Sequence, residues 1–254
     1  SDLYDLQYQY VRNTLQINQG PSLRENDTIG NPVFSDVGFL SGIAETDWSW
    51  TPLVADFDND SYRDMIITNG FPKDVTDNDF ISFRNKAMML TSKRELLDEI
   101  PVIKIPNYAY KNNGGITFAD VSEQWGLRDI SFSNGAAWAD LDNDGDLDWV
   151  VNNINDEAFL YRNNLKEKEN HYLQLNLKGD SLNRNGLGAF IELHYGNGKK
   201  QAYETSPYRG YLSSVQNTAH FGLGKTDLVD SLIVTWPDGK QQLIQNVKAN
   251  QVLT

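Results

Sequence analysis

The 254-residue sequence contains no cysteine, which excludes disulfide bonds, zinc–thiolate sites and cysteine nucleophiles. Histidine is scarce as well, and we interpret each histidine as an ordinary strand or surface residue: they are His171, His194 and His220. The spacings typical of serine hydrolases, zinc metalloproteases and P-loops are absent. We therefore expect a protein that is not an enzyme, although a glycosidase carboxylate pair stays open because such pairs leave no spacing to find.

Positive charge is also in short supply, with 22 Lys and Arg against 35 Asp and Glu and a net charge of −13. Proteins bind nucleic acids and anionic lipid surfaces through clustered Lys and Arg, so we expect neither as a partner. No apolar run reaches the about 18 residues of a membrane-spanning helix, so we expect no membrane insertion by this segment. No signal peptide is recognisable, and the abrupt ends predict a mature or excised piece of a longer protein.

An internal repeat is the main organising feature. Residues 34–70 align with residues 118–154 at an offset of 84, and 12 of the 37 positions are identical. Each copy has Phe-x-Asp-Val, then an acidic loop, then a short Ile- and Val-rich run typical of a buried strand. A third element, a short strand followed by Asn, recurs at 15–20, 108–115 and 159–164. Such a unit cannot bury both faces alone, so we predict stacked units like the blades of a propeller.

The first copy carries an insertion at about residues 71–105, which we predict forms two short helices. Apolar residues occur at helical spacing in the first of them, namely Phe83, Ala87 and Leu90. The second opens with Ser92 and Glu95 in the spacing of a capping box. We expect this insertion to cover an apolar edge, with a partner-binding surface as the alternative.

From about His171 the sequence changes to period-two alternation, with Gly-containing turns between the predicted strands. The predicted fold is all-β: a partial propeller of β-propeller-type blades with a short helical insertion, followed by a small β-sandwich domain. The predicted domains are 1–165 for the blades and 166–254 for the sandwich, with a polar linker at 163–170.

The two acidic loops carry the most specific chemical signal. Each has aspartate at positions 1, 3, 5 and 9 of nine residues, in 56–64 and in 140–148. These carboxylates would repel one another strongly, and a hard cation such as calcium, which takes about six to eight oxygen ligands, removes that repulsion. We predict two Ca²⁺ sites, each with four carboxylates and the backbone carbonyl of position 7. The predicted ligands are Asp56, Asp58, Asp60, Tyr62 (carbonyl) and Asp64 in the first site, and Asp140, Asp142, Asp144, Asp146 (carbonyl) and Asp148 in the second.

An EF-hand does not explain these loops, because position 12 is Ile67 or Val151 instead of glutamate and the predicted flanks are strands. Position 6 is Gly145 in the second loop and Ser61 in the first. Since the chain turns sharply there, we expect the first site to be more strained or weaker. A catalytic metal needs a convergent acid, base or nucleophile, and none is apparent, so we expect calcium to be structural.

The acidic loops, with "NNGGITFADVS" ahead of the second, resemble FG-GAP/VCBS repeats of the integrin-α type. The later segments "NRNGLGAFIEL", "RGYLSS", "HFGLG" and "VTWPDGK" resemble the ASPIC/UnbV domain in their order. The resemblance implies a propeller with calcium in its blade loops, of which this chain holds about two blades, and a role in binding or adhesion outside the cell. In "RGYLSS", Arg209 and Tyr211 would be exposed in a ligand loop or would belong to a strand-turn packing motif.

We therefore expect a calcium-binding extracellular or cell-surface module, associated with a bacterial outer membrane, that recognises a protein or glycan ligand. One alternative is a carbohydrate-capturing or carbohydrate-active protein, because Trp48 and Trp50 lie just ahead of the first acidic loop. These two residues would otherwise fill a core between blades. A second alternative is an accessory subunit of an outer-membrane assembly that contacts its partner through the helical insertion.

Overall fold

The computed structural model describes residues 12–22, 30–74, 78–87, 92–165 and 170–254. These residues form sixteen β-strands and three short helices, which confirms the expected all-β class. The strands make five sheets, and a single strand pair among the described residues is parallel. None of the described helices is long and apolar enough to cross a membrane.

The first repeat copy and the residues around it form two antiparallel sheets. A two-stranded sheet pairs β1 with β2, and a four-stranded sheet has the order β3-β4-β5-β6. The first acidic loop connects β3 to β4. The elements are β1 (Gln16–Ser22), β2 (Asn31–Asp36), α1 (Gly38–Ser41), β3 (Ser49–Ala55), β4 (Asp64–Asn69), β5 (Tyr108–Asn112) and β6 (Phe118–Asp120).

The second copy from Ser133 onward and the residues just after it form a three-stranded sheet of β7 (Ser133–Ala139), β8 (Asp148–Asn153) and β9 (Phe159–Tyr161). The first strand of this copy, β6, instead lies at the edge of the four-stranded sheet. The second acidic loop connects β7 to β8, so both acidic loops lie between strands, as predicted. The Ile- and Val-rich runs that follow the loops are the mostly buried strands β4 and β8.

The two sheets share one register. Ala55 pairs with Asp64 and Ser49 with Asn69 in the first sheet. In the second sheet Ala139 pairs with Asp148 and Ser133 with Asn153, so every partner is shifted by the repeat offset of 84. In both hairpins the pairing register also shifts near the start of the first strand, between Ser49 and Pro52 in one and between Ser133 and Ala136 in the other. The sequence repeat is therefore a structural repeat.

A single hydrophobic core joins the two repeat sheets, as expected for units that cannot bury both faces alone. β7 packs beside β3 and β4. The buried side chains come from both sheets and include Leu53, Ile66, Ala109, Trp138, Leu147, Trp149 and Val151, together with Val215 of the tail.

The insertion forms two helices, α2 (Asn78–Ala87) and α3 (Lys93–Asp98). The capping box predicted at the start of α3 is confirmed. The Glu95 N–H donates to the Ser92 hydroxyl at 3.3 Å, and the Ser92 N–H donates to the Glu95 carboxylate at 2.8 Å. These two bonds satisfy N–H groups that a helix start leaves without partners.

The apolar face predicted for α2 is wrong in its first residue. Phe83 is 47% exposed, and the buried ring of this helix is Phe80. Leu90, the last residue of the predicted face, lies outside the described residues. Phe80 stands three residues before Phe83, so the predicted set began after the ring that this helix buries.

The tail forms two sheets. One has the order β13-β10-β16 and the other the order β12-β11-β14-β15. The strands are β10 (His171–Leu175), β11 (Phe190–Tyr195), β12 (Lys199–Glu204), β13 (Ala219–Gly224), β14 (Leu228–Thr235), β15 (Gln241–Lys248) and β16 (Gln251–Leu253).

The two tail sheets share a core, as in a two-layer β structure. The predicted alternation is confirmed in β11, where Ile191, Leu193 and Tyr195 are buried. β10 ends at Leu175, and Leu177, which continues its period-two pattern, packs at the edge of the core. The other buried members include Leu173, Phe221, Leu223, Val229, Leu232 and Val234.

Candidate metal centre

The two acidic loops fold into the same tight turn. In each, the first aspartate accepts backbone N–H bonds from positions 5 and 6, and the carboxylate of position 5 accepts the N–H of position 7. In the first loop these bonds are Asp60 to Asp56 at 3.0 Å, Ser61 to Asp56 at 2.8 Å and Tyr62 to Asp60 at 2.9 Å. In the second they are Asp144 to Asp140 at 3.1 Å, Gly145 to Asp140 at 3.1 Å and Asp146 to Asp144 at 3.2 Å.

The last aspartate of each loop ties the turn to the next strand or its end. Asp64 accepts the N–H of Phe57 at 3.1 Å and that of Asn112 at 2.9 Å. In the second loop, Asp148 accepts the equivalent bonds from Leu141 at 2.9 Å and from Asn163 at 2.9 Å. Both aspartates are buried, so these amides stabilise carboxylates that water does not reach.

Each loop brings three carboxylates together, with one oxygen of each within 4.8 Å of the others. The two sets are Asp56, Asp58 and Asp60, and Asp140, Asp142 and Asp144. Three carboxylates at this spacing fit a hard divalent cation that prefers oxygen ligands. The roles expected for Asp64, Asp148 and the carbonyls of Tyr62 and Asp146 stay predictions.

The electrostatics of the loops also favour a cation. Burial, followed by the charges of Asp64 and Asp60, raises the pKa of Asp56 to about 8. Burial likewise raises the pKa of Asp64 to about 7. In the second loop burial, followed by the charge of Asp144, raises the pKa of Asp146 to about 7. Buried carboxyls whose pKa values are raised in this way take up a proton or a metal ion near neutral pH.

Position 6 has a left-handed backbone in both loops, with φ of +86° at Ser61 and +91° at Gly145. The strain expected at Ser61 is therefore present, whereas the expected weaker binding stays a prediction. A Cβ at Gly145 would lie 1.9 Å from the ring of Tyr172. Opposite Ser61 the tail has Gly224 instead, so glycine is needed in the second loop for space as well as for backbone conformation.

Position 7 differs more than the sequence indicated. Tyr62 is 43% exposed, whereas the Asp146 side chain is buried and accepts the Leu165 N–H at 3.0 Å. Its other carboxylate oxygen has no hydrogen-bond partner among the described residues. From the sequence we expected a contribution from the Asp146 carbonyl alone and assigned its side chain no role.

A basic residue contacts each carboxylate set. Lys111 Nζ bonds to the carboxylates of Asp58 and Asp60, with 2.7 Å to Asp60. Arg162 Nη2 lies 2.8 Å from Asp142. Sequence reasoning missed both residues. The signal was present, because each follows a tyrosine and precedes two asparagines in the third repeat element.

Residues 179–254 match the family model described as ASPIC and UnbV. The chain is also similar to "Cartilage acidic protein 1" of Xenopus tropicalis, with 29% identity over 198 residues. That alignment covers 75% of this chain and 26% of the relative. The chain thus spans about a quarter of the length of the curated relative that it matches.

The ASPIC and UnbV segment contacts the first acidic loop through β13. His220 Nε2 lies 2.7 Å from Asn59 Oδ1, and the Gly224 N–H donates to the Asn59 carbonyl at 2.9 Å. A Cβ at Gly222 would lie 2.0 Å from an Asp56 carboxylate oxygen, so only glycine allows this approach. His220 was expected to be an ordinary strand or surface residue; it is buried, and burial lowers its pKa to about 3.

The second loop contacts the tail just before the matched segment. The Gln174 amide donates to an Asp140 carboxylate oxygen at 2.8 Å. The first loop contacts the same part of the tail, because the Asn170 amide donates to the Asp58 carbonyl at 2.7 Å. Asn59 also joins the loops to each other, donating to the Gly145 carbonyl at 3.1 Å. The two acidic loops and the first tail sheet therefore form one contact region.

The "RGYLSS" stretch of the ASPIC and UnbV segment packs between the repeat sheets. Thr51 of β3 donates to the Tyr211 carbonyl at 2.8 Å, and the Ala136 N–H of β7 donates to the Ser213 hydroxyl at 2.9 Å. Arg209 donates to the Tyr203 hydroxyl at 3.0 Å. These contacts support the packing-motif interpretation. The exposure expected for a ligand loop is met by Tyr211, which is 46% exposed, whereas Arg209 is half-buried.

Proposed function

We propose that this chain is the calcium-binding part of an extracellular or cell-surface protein that recognises a protein or glycan. The observation that carries the proposal is the convergence of three carboxylates in each of two loops with the same hydrogen-bond scaffold. The name of the similar protein, which refers to cartilage, supports a place outside the cell. The role is binding rather than catalysis.

In this proposal the repeat sheets are FG-GAP/VCBS propeller blades within residues 1–165, and residues 166–254 form the ASPIC/UnbV β domain. The shared register of the two sheets and their joint core support the blades. The match of residues 179–254 supports the second domain.

Calcium has a structural role in this proposal. Asp56, Asp58 and Asp60 would hold one ion, and the equivalent aspartates of the second loop would hold the other. Both loops contact the tail, so the ions would stabilise the region where the blades meet the ASPIC/UnbV domain. Near neutral pH they would replace protons on the buried carboxyls.

Thermal unfolding in calcium, in magnesium and in chelator tests this proposal. Free calcium at ~100-fold above the dissociation constant stabilises the folded chain by about 2.7 kcal/mol per site. For a chain of this size, each occupied site therefore raises Tm by roughly 5–10 °C. Magnesium should give a smaller rise, because it demands a stricter octahedral geometry and dehydrates reluctantly.

Charge-neutralising variants assign the effect to the loops. Asp58→Asn and Asp142→Asn should each remove about half of the calcium-induced rise. Asp156→Asn is the matched control, because Asp156 is a surface aspartate that pairs with Lys104 away from both loops. The same Tm in calcium and in chelator for the unmodified chain would contradict the proposal.

Carbohydrate capture is a second candidate, favoured by an aromatic cluster. Trp48 stacks on Phe71 with ring centroids 4.8 Å apart, and Trp50 lies 4.7 Å from Tyr211. Both tryptophans are half-buried and do not belong to the joint core of the sheets. Half-exposed rings of this kind offer apolar faces to a sugar.

A glycan array with the full chain and with Trp48→Ala tests this candidate. Capture should appear with the full chain and weaken at least tenfold in the variant. Phe83→Ala is the control, because this exposed ring lies on α2 in the insertion. An array without signal for the full chain would count against carbohydrate capture while leaving the calcium proposal intact.

A further inference from the structure

Both acidic loops hold a positive charge from the protein itself at the place where a metal ion would bind. Lys111 Nζ bonds to Asp58 and Asp60, two of the three convergent carboxylates of the first loop. In the second loop Arg162 Nη2 lies 2.8 Å from Asp142 and 4.0 Å from Asp144. Each basic side chain thus contacts the carboxylates of positions 3 and 5.

The two basic residues occupy equivalent places. Each directly precedes an asparagine whose N–H donates to the last aspartate of its loop: Asn112 to Asp64 and Asn163 to Asp148. The backbone next to each basic residue is therefore fixed to the loop. The long side chains remain able to leave the carboxylates without disturbing the turn.

A metal ion and these cations compete for the same oxygens. Calcium needs the carboxylates of positions 3 and 5 as direct ligands, and like charges at contact distance repel strongly where water is scarce. We propose that Lys111 and Arg162 are built-in counter-cations that calcium displaces and that set the affinity of the two sites. This inference rests on the proposed calcium function and adds a determinant of its affinity.

The two basic side chains differ in how strongly they bind the loop carboxylates. The Lys111 side chain is 33% exposed and bonds to two carboxylates. The Arg162 side chain is 66% exposed and has one close carboxylate partner. Because exposed ion pairs contribute less than half-buried ones, Lys111 lowers the calcium affinity of its loop more than Arg162 does.

Calcium titration calorimetry on the full chain measures this effect. Lys111→Met should tighten one site by about tenfold and leave the other unchanged, and Arg162→Met should tighten the other by about threefold. Lys111→Arg keeps the charge and should bind like the unmodified chain. Lys104→Met is the matched control, because Lys104 pairs with Asp156 outside the loops.

Two further readouts keep the test decisive. Lys111→Met should lower Tm in chelator and leave Tm in saturating calcium unchanged, because only the metal-free loop needs the ammonium. In the unmodified chain, calcium should raise the rate of Lys111 acetylation, followed by mass spectrometry, without changing that of Lys104. If calcium binds all variants with equal affinity, the counter-cation proposal is wrong and the calcium sites stand; if it binds none, the proposed function fails.

Discussion

At position 6 the two acidic loops differ by one residue, and the tail opposite them differs as well. Gly145 faces the Tyr172 ring, and Ser61 faces Gly224. The Ser61 hydroxyl is buried without a hydrogen-bond partner among the described residues. The absence of a side chain at Gly224 thus leaves room for Ser61. The serine nevertheless has a left-handed backbone and a buried hydroxyl without a hydrogen bond, and both are unfavourable.

Ser61→Gly should therefore stabilise the metal-free chain by about 1 kcal/mol, because it removes both penalties. The gain is limited by the larger conformational entropy of glycine in the unfolded chain. Urea unfolding in chelator measures it. Ser61→Ala, which removes only the hydroxyl, should recover a smaller part, and an unchanged or lower unfolding free energy for Ser61→Gly would show that no strain is released.

Asp56 makes the stability of the metal-free chain depend on pH. Its folded pKa of about 8 lies above the ordinary value of 3.8, so the folded chain binds the proton more tightly than the unfolded chain. This contribution is fully present below the ordinary pKa and is lost as pH rises toward the folded pKa. In chelator we expect the unfolding free energy to fall from pH 6.5 to 8.5.

Asp56→Asn is the matched variant for this pH dependence, because an amide cannot titrate. The variant should show a shallower fall in chelator, with the remainder coming from Asp64 and Asp146, whose pKa values are also raised. His220 is neutral in the folded chain but still titrates near pH 6.5 in the unfolded chain, so it adds a small rise at the low end of this range. That rise is the same in the variant and in the unmodified chain and cancels when their slopes are compared. Equal slopes for the variant and the unmodified chain would refute the assignment to Asp56.

Among the structural elements, the first acidic loop joins the others through Asn59. Its side-chain oxygen accepts a bond from His220 Nε2 on β13 at 2.7 Å, and its side-chain amide donates to the Gly145 carbonyl of the second loop at 3.1 Å. Asn143, its equivalent, is exposed. Both asparagines have a left-handed backbone, with φ of +57° and +62°.

Asn59→Gly and Asn143→Gly form a matched pair, because glycine keeps the left-handed backbone in both. Asn59→Gly should lower the unfolding free energy by about 2 kcal/mol, since it leaves His220 and the Gly145 carbonyl without their buried partner. Asn143→Gly should change it by less than about 0.5 kcal/mol. Urea unfolding in calcium compares them, and equal losses would mean that Asn59 does not join the elements.

The sequence predicted the elements that repeat and missed the contacts between them. Register and loop position follow from residues 84 apart, because a repeat copies local structure along with sequence. The contact between Asn59 and His220 joins residues 161 apart in the chain, and no periodicity signals such a pair. The contact of Lys111 with the first acidic loop was missed for a related reason, since the helical insertion separates this lysine from the loop in the sequence.

For the whole molecule, the two larger of the three hydrophobic cores among the described residues meet at the acidic loops. One core joins the repeat sheets and includes Val215 of the tail; the other lies entirely within the tail. The polar contacts between them involve loops in which one basic side chain offsets only part of the charge of several carboxylates. Unfolding should therefore be cooperative only when the loops are neutralised.

We expect a single calorimetric transition in calcium and two in chelator. In chelator the repulsion among the loop carboxylates weakens the region between the cores, so the repeat sheets unfold first and the tail core follows at higher temperature. Asn59→Gly should widen the separation between the two transitions, and Asn143→Gly should leave it unchanged. A single transition in chelator would mean that Val215 and the "RGYLSS" contacts suffice to couple the two cores, and that calcium raises the stability of the chain without deciding whether it unfolds as one unit.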